Sequence, residues 1–210
     1  KKTSYLFCDS NRFEAKTIAI FKELSVEIIN YDLVPKKLPE LSKNKRIITD
    51  KASLNFACYK AIKGEIIFKQ SMVQQIKTIK NSVEIEHAKK CMLKDGIAMT
   101  KFFMWLEEEL KTREISEYEI GQKLISFRKE QPLYKDESFA AIVGYKGNGA
   151  IIHYTASKEG AAMVKNEGIL LVDSGAQYEN GTTDITRTVW LGGTPCKEIT
   201  TAFTSVLKGY

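Results

Sequence analysis

"VDSGAQYENGTTDITRTVW", residues Val172 to Trp190, decides how this chain folds and what it can do. Two aspartates, Asp173 and Asp184, stand eleven residues apart in a run that otherwise reads as two strands around a turn. Asn180-Gly181 is a strong hairpin signal, because that pair accepts the positive φ angles of a tight turn. A two-residue turn there pairs Gln177 with Asp184. Strand period two puts Asp173 and Gln177 on one face, so both aspartates point the same way. Separation is the difficulty, since four residues along a strand span roughly 13 Å. A bulge or strong twist, which Gly175 and Gly181 permit, is therefore expected to bring both carboxylates to one site.

Paired carboxylates on rigid strands, with no lysine cluster beside them, repel each other unless a proton or cation intervenes. Oxygen ligands of this kind suit Mn²⁺, Mg²⁺ or Co²⁺. The bland alternative is that each aspartate ends a strand or turn and accepts backbone hydrogen bonds. His153, in "NGAIIHY", is open in the same way: it reads as a strand histidine with no sequence partner, although its titration range suits acid/base work. Gly144, Gly147 and Gly149 form "GYKGNG", which has neither the spacing nor the following helix of a dinucleotide fingerprint and reads as a loop. Arg187 and Tyr178 read as structural.

The rest of the chain narrows the classes. With 210 residues, 43% of them hydrophobic, it can bury one sizeable core or two small ones. No apolar run reaches the roughly 18 to 20 residues that span a bilayer, and the start "KKTSYLFCDS" lacks the apolar core of a signal peptide, so a cytoplasmic protein without membrane contact is expected. Cys8, Cys58, Cys91 and Cys196 form no CxxC pair and read as reduced, mostly buried thiols. The net charge of +6 comes from residues 1–90, with 18 Lys/Arg against 10 Asp/Glu. Its lysine clusters, such as "VPKKLPELSKNKR", lack interleaved aromatics and any nucleic-acid motif, so a solvated face is expected and no nucleic-acid partner.

The architecture changes near residue 80. Before it, "SYLF", "VEIINY", "RIIT" and "EIIF" alternate with the helix-compatible "NRFEAKTIAIFKEL", "ASLNFACYKAI" and "SMVQQIKTIK", which describes a small α/β unit with a parallel sheet, residues 1–80. From 81 to 210 the chain reads as α+β. Asn81 with Glu84 forms a capping box that opens a long helix whose stripe runs through Ile85, Ala88, Met92, Met99, Phe102, Phe103, Leu106 and Leu110. Gly96 interrupts its pattern. Ser116 with Glu119 opens a second helix, which Pro132 ends. Strands follow in "SFAAIVG", "GAIIHY", "GILLVDSGAQY" and "TTDITRTVWLG".

Three strings, "GNGAIIHY", "VDSGAQYENGTTDITRT" and "FTSVLKGY", resemble aminopeptidase P, the Xaa-Pro aminopeptidases of the pita-bread metallopeptidase family. "YLFCDSNRF" resembles that family's middle domain, and the likeness runs on through "KNSVEIEHAKKCMLKDGIAM" and is dense from Glu137 onward. The resemblance implies an α/β chain: a partial creatinase-like middle domain, then the first half of a pita-bread domain. It implies that Asp173 binds one metal ion and that Asp184 bridges two, expected as a Mn²⁺ pair. His153 matches the substrate-side histidine, with roles in substrate binding and catalysis. Water activated on the metal pair would attack the peptide bond before a proline at the second position of the substrate. A homodimer is expected by the same analogy. The family's remaining ligands, a histidine and two glutamates, correspond to positions beyond Tyr210, and "VLKGY" reads as a helix cut in mid-course. The chain alone is therefore expected to be inactive. The alternative reading is a non-catalytic pita-bread module that binds peptide or protein.

Overall fold

A computed structural model describes residues 3–210; Lys1 and Lys2 of the start "KKTSYLFCDS", and what they add to the reading of that start, lie outside the described residues. The chain forms two compact units that part between Ile79 and Lys80.

In the first unit strands and helices alternate: β1 (Ser4–Phe7), α1 (Ala15–Glu23), β2 (Val26–Ile29), α2 (Val34–Ser42), β3 (Arg46–Thr49), α3 (Phe56–Ala61), β4 (Glu65–Phe68) and α4 (Met72–Thr78). The crossovers make the pairings parallel, as parallel neighbours require a connection long enough for a helix. They form two separate ladders, Ser4↔Val26 through Phe7↔Ile29 and Arg46↔Glu65 through Thr49↔Phe68. The lysine-rich cluster expected to be only a solvated face contains α2. Pro35 lies in its first turn, where a missing N–H costs nothing, and Pro39 removes one interior bond. Ile29 is the sole fully buried apolar side chain of this unit among the described residues.

The second unit is built from α5 (Ser82–Glu109), β5 (Ile115–Ser116), α6 (Glu117–Lys129), β6 (Tyr134–Glu137), β7 (Ile142–Tyr145), β8 (Met163–Val164), β9 (Gly168–Ser174), β10 (Ala176–Tyr178), β11 (Gly181–Thr182), β12 (Ile185–Leu191) and α7 (Lys197–Gly209). The capping box forms in full, with the Asn81 side chain accepting from Glu84 N and Glu84 Oε2 accepting from Asn81 N. Gly96 does not break α5. The buried face of α5 runs through Cys91, Asp95, Ala98, Met99, Phe102 and Leu106. Ile85, Ala88 and Met92, expected on that face, are exposed.

The sheet order β12-β9-β7 is antiparallel throughout, and β11-β10-β6 forms a second antiparallel group. Burial alternates along β9. Leu170, Val172 and Ser174 face inward, while Ile169, Leu171 and Asp173 face the other way. The inner face packs with Val143 and Tyr145 against Met99, Phe102 and Leu106 of α5 and Ile120 and Leu124 of α6. This layer of two helices on one sheet face leaves the opposite face free to carry polar groups. All four cysteines are free; Cys91 is buried, but Cys196, expected to be covered, is exposed.

Candidate functional site

The hairpin around Asn180 sets the geometry of the two aspartates, and it does so differently from the expected turn. Tyr178 stands opposite Gly181 and Gln177 opposite Thr182, so the two-residue loop is Glu179-Asn180. Ser174 stands opposite Ile185 and Asp173 opposite Thr186, in the same register. Thr183 N donates to Ala176 O at 2.9 Å between the two segments, so the pairing does not slip at Gly175. Asp184 thus faces Gly175 and not Gln177, and it is diagonal to Asp173 on one face. Diagonal neighbours lie about 7–8 Å apart at the backbone, half the span of the expected arrangement. No residue is inserted between the aspartates: the register, moved by one residue at the tip, runs through, although the ladder is interrupted at Gly175 and Thr183–Asp184, where Ala176 N donates to Thr183 Oγ1 and Thr183 O accepts from Ser138 Oγ. An irregularity does occur, on the other flank, where β6 carries an extra residue opposite the Gln177–Tyr178 step.

The tip moves because its residues are held by α5. Asn180 Oδ1 accepts from Lys94 Nζ at 2.9 Å and from Cys91 Sγ at 3.3 Å. A Cβ on Gly181 would come within 2.9 Å of Cys91 Sγ. Asn-Gly therefore serves close approach to the helix. Neither Glu179 nor Asn180 has positive φ, so the mirror-image turn that Asn-Gly favours is not formed. Gly175 also answers to sterics, since a Cβ there would collide with Thr183 O and Ser138 Oγ, which are bonded to each other at 2.9 Å.

Asp173 is half-buried, and its Oδ1 is fully covered and has no hydrogen-bond partner among the described residues. A buried acceptor left unpaired costs about 1–3 kcal/mol, more when charged. Asp184 is exposed. It lines a groove of about 1020 Å³ between the outer face of β12 and the apolar side of α7, with Thr186, Thr188, Phe203 and Val206. An unsatisfied carboxylate oxygen beside a second carboxylate on the same face is an arrangement that a hard divalent cation would satisfy. Among the described residues, no group of three or more His, Cys, Asp and Glu side chains converges as a complete metal cluster.

His153 lies elsewhere than expected. Lys146–Ala150 forms a 3₁₀ turn, and His153 follows in an exposed turn with φ +56°, not in a strand. No hydrogen bond or strand register among the described residues joins it to either aspartate. Gly144 and Gly149 of "GYKGNG" serve close approach, because a Cβ on Gly144 would come within 2.6 Å of Gly149 Cα, whereas Gly147 faces open space.

Sequence reading missed the groups that hold these segments in place. Arg128 of α6 is fully buried; it grips both oxygens of Asp95 at 2.8 and 3.1 Å and donates to Glu137 at 2.7 Å and to Ser174 Oγ at 3.1 Å. Ser174 adjoins Asp173 on the opposite face, so the buried ion cluster fixes the strand that carries the carboxylate. Burial opposes the charge on Arg128, but Asp95 and Glu137 outweigh it and keep its pKa above the ordinary value. Burial pushes the Glu137 carboxyl upward against the pull of Arg128. Tyr178 donates to Asp95 at 3.3 Å and Tyr134 to Glu137 at 3.0 Å. A usable signal existed: Asp95 lies four residues from both Cys91 and Met99, and Arg128 four from Leu124, each a charge in an apolar stripe.

Comparison with known proteins shows the family and the fold. Residues 86–210 match the model of metallopeptidase family M24, and residues 1–84 match the creatinase/prolidase N-terminal domain. A protein of Coprinopsis cinerea named Probable Xaa-Pro aminopeptidase P is 45% identical over 142 residues, covering 67% of this chain and 23% of that protein. Aminopeptidase P2 of Arabidopsis thaliana is 31% identical over 237 residues, covering 98% and 33% respectively. The chain thus spans a quarter to a third of the length of these curated relatives. The X-prolyl aminopeptidase of Caenorhabditis elegans, described as a cytosolic enzyme with a di-nuclear active site, superposes with a TM-score of 0.82 at 32% identity, over 92% of this chain and 33% of that one.

Proposed function

The chain belongs to metallopeptidase family M24, and on that premise we propose that it is part of a metal-dependent aminopeptidase that releases an N-terminal residue preceding proline. The family match and the mixed helix–strand fold establish a peptidase relative with a creatinase-type N-terminal domain and a pita-bread domain. We assign residues 1–80 to a partial middle domain and 81–210 to the amino-terminal half of the catalytic domain. The observation that carries the reading is the unpartnered Oδ1 of Asp173 on the face it shares with Asp184. Asp173 would bind one ion and Asp184 would lie between two, with Mn²⁺ the best candidate. When bound, such a pair activates water and polarises the scissile carbonyl. Within the chain, β9 would present Asp173 and the residue leading into β12 would present Asp184, Arg128 and Ser174 would steady the strand beneath Asp173, and His153 would contact the substrate at the Xaa-Pro bond.

Two carboxylates hold a divalent ion weakly, because affinity follows ligand number and closure of the site. The 210-residue chain alone is therefore expected to be inactive. The test is made on the native protein: capture with an antibody against residues 137–210, intact mass, and hydrolysis of Xaa-Pro-Yaa peptides with added Mn²⁺. Cleavage by a product longer than 210 residues, abolished by a chelator, supports the proposal. A product of this length that binds peptides without cleaving them would support a non-catalytic module. A longer product that cleaves no Xaa-Pro bond under any divalent ion overturns the peptidase reading. Cytoplasmic residence and a homodimer are proposed from the same relationship; among the described residues no helix is long and apolar enough to cross a membrane.

A further inference from the structure

Glu117 is a fully buried carboxyl group outside the aspartate site. It stands at the first position of α6, and five hydrogen bonds converge on it from four places in the fold. Tyr145 N of β7 donates at 2.7 Å and Ala162 N at 3.0 Å. Asn148 Nδ2 donates to both oxygens, at 3.0 and 3.2 Å, and Tyr154 Oη donates at 2.7 Å. Asn148 also donates to Tyr154 Oη at 3.1 Å, so the two loop side chains are tied to each other as well as to the acid. Burial and Glu117 together push the Tyr154 phenol up to about 12.

Asn148 and Tyr154 bracket the exposed turn that carries His153. Tyr154 N donates to Ile151 O at 3.2 Å and closes that turn, while His153 takes φ +56°, a left-handed conformation uncommon for non-glycine residues that histidine enters more readily than most. The imidazole makes no side-chain hydrogen bond of its own among the described residues. What fixes its backbone is therefore the pair of tethers on either side, and both end on the same buried acid. Tyr145 N and Ala162 N tie that acid to the β-structure, so the loop is referenced to a rigid part of the unit. We infer that Glu117 is a positioning residue for His153, holding the 148–154 loop at both flanks so that the histidine is presented in one orientation.

This inference rests on the reading of His153 as a substrate-side histidine, but it concerns order in the loop and is tested without turnover. The 210-residue protein, labelled with ¹⁵N and ¹³C, gives order parameters for residues 151–154 and ring signals for its two histidines. His87, on the exposed first turns of α5, serves as the internal reference. Tyr154→Phe and Asn148→Ala each remove loop-side donors and leave the Glu117 bonds to Tyr145 N and Ala162 N. In Tyr154→Phe the order parameters of residues 151–153 are expected to fall from about 0.85 to below about 0.6, with the His153 signals moving toward those of a free histidine. The His87 signals and the melting temperature stay put. Glu117→Gln, which keeps one acceptor oxygen, gives an intermediate loss.

An ordered His153 turn in both folded loop variants overturns the inference. So does global unfolding of both, since the contacts would then support the unit and not the loop. The two proposals fail separately. A loop that loosens in a protein whose longer native form cleaves no Xaa-Pro peptide leaves the positioning role standing and removes the peptidase reading. An unaltered loop beside normal cleavage does the reverse.

Discussion

Asp173 and Ser174 are neighbours with opposite demands, and their difference is the chemistry of the site. Ser174 points inward and receives Arg128, whereas Asp173 points outward with a covered Oδ1 that has no hydrogen-bond partner among the described residues. Replacing Asp173 by Asn is expected to leave metal-free stability unchanged or slightly higher, by up to about 1 kcal/mol, since an unpaired buried carboxylate oxygen is itself a cost. The same variant should abolish the paramagnetic broadening that Mn²⁺ causes at the amides around 173 and 184; equal broadening in wild type and Asp173→Asn would remove the aspartate from the site. Arg128→Met leaves Asp95 and Glu137 facing each other in the core and is expected to cost about 3–5 kcal/mol in urea denaturation. Residue type and strand period were enough to put both aspartates on one face. Their diagonal relation was not legible, because it depends on Asn180 and Gly181 being engaged by Lys94 and Cys91, which are far away in the chain. The left-handed turn at His153 was hidden for a similar reason: "GAIIHY" has strand composition, and the bonds of Asn148 and Tyr154 on either side of it run to Glu117, more than thirty residues earlier.

Whole elements were easier to read where their ends carry their own signals. The capping box at Asn81 formed as its spacing demands, and Asn81→Ala is expected to cost about 1 kcal/mol by thermal melting. The second pair formed by half. Ser116 accepts from Glu119 N at 3.1 Å, but the Glu119 carboxylate turns to Arg113. Its hydrogen bond with Arg113, opposed by slight burial, holds Glu119 below the ordinary carboxylate value of 4.5. A carboxylate with a lowered folded-state pKa adds stability that is present above its unfolded value and fades as pH falls through the folded one. The melting temperature of wild type should therefore exceed that of Arg113→Gln at pH 7, and the gap should close toward pH 3; a gap independent of pH would show that the pair contributes no charge interaction. No helix is expected over α2, which carries two prolines in nine residues, and the first turns of α5 expose Ile85 and Met92 although their spacing matches a buried stripe. Amphipathic spacing marks where a helix can be buried; it does not supply the neighbour.

For the molecule as a whole, the division into an α/β part and an α+β part was visible in the change of pattern near residue 80, because alternating short strands and helices differ in period from a 28-residue helix. Among the described residues no group of three or more His, Cys, Asp and Glu side chains converges, and two carboxylates alone do not close a divalent-ion site. After incubation with Mn²⁺ and gel filtration, the 210-residue protein is expected to retain well under one ion per chain by elemental analysis; one or more tightly retained ions would show that additional ligands exist within it. The unbroken register from Asp173 past the tip to Thr186 has a consequence for synthesis and folding. Both acidic groups belong to a single hairpin, whose strands can close in about 1–10 μs, while the register that sets the pair diagonal is secured when Cys91 and Lys94 of α5 dock on the tip. A nascent polypeptide that has emerged as far as Trp190 would carry both acidic groups outside the ribosome before α7 has followed. An ion caught at that moment binds an unfinished state as well as the finished one, and a ligand that binds both lends the native fold correspondingly little protection against unfolding.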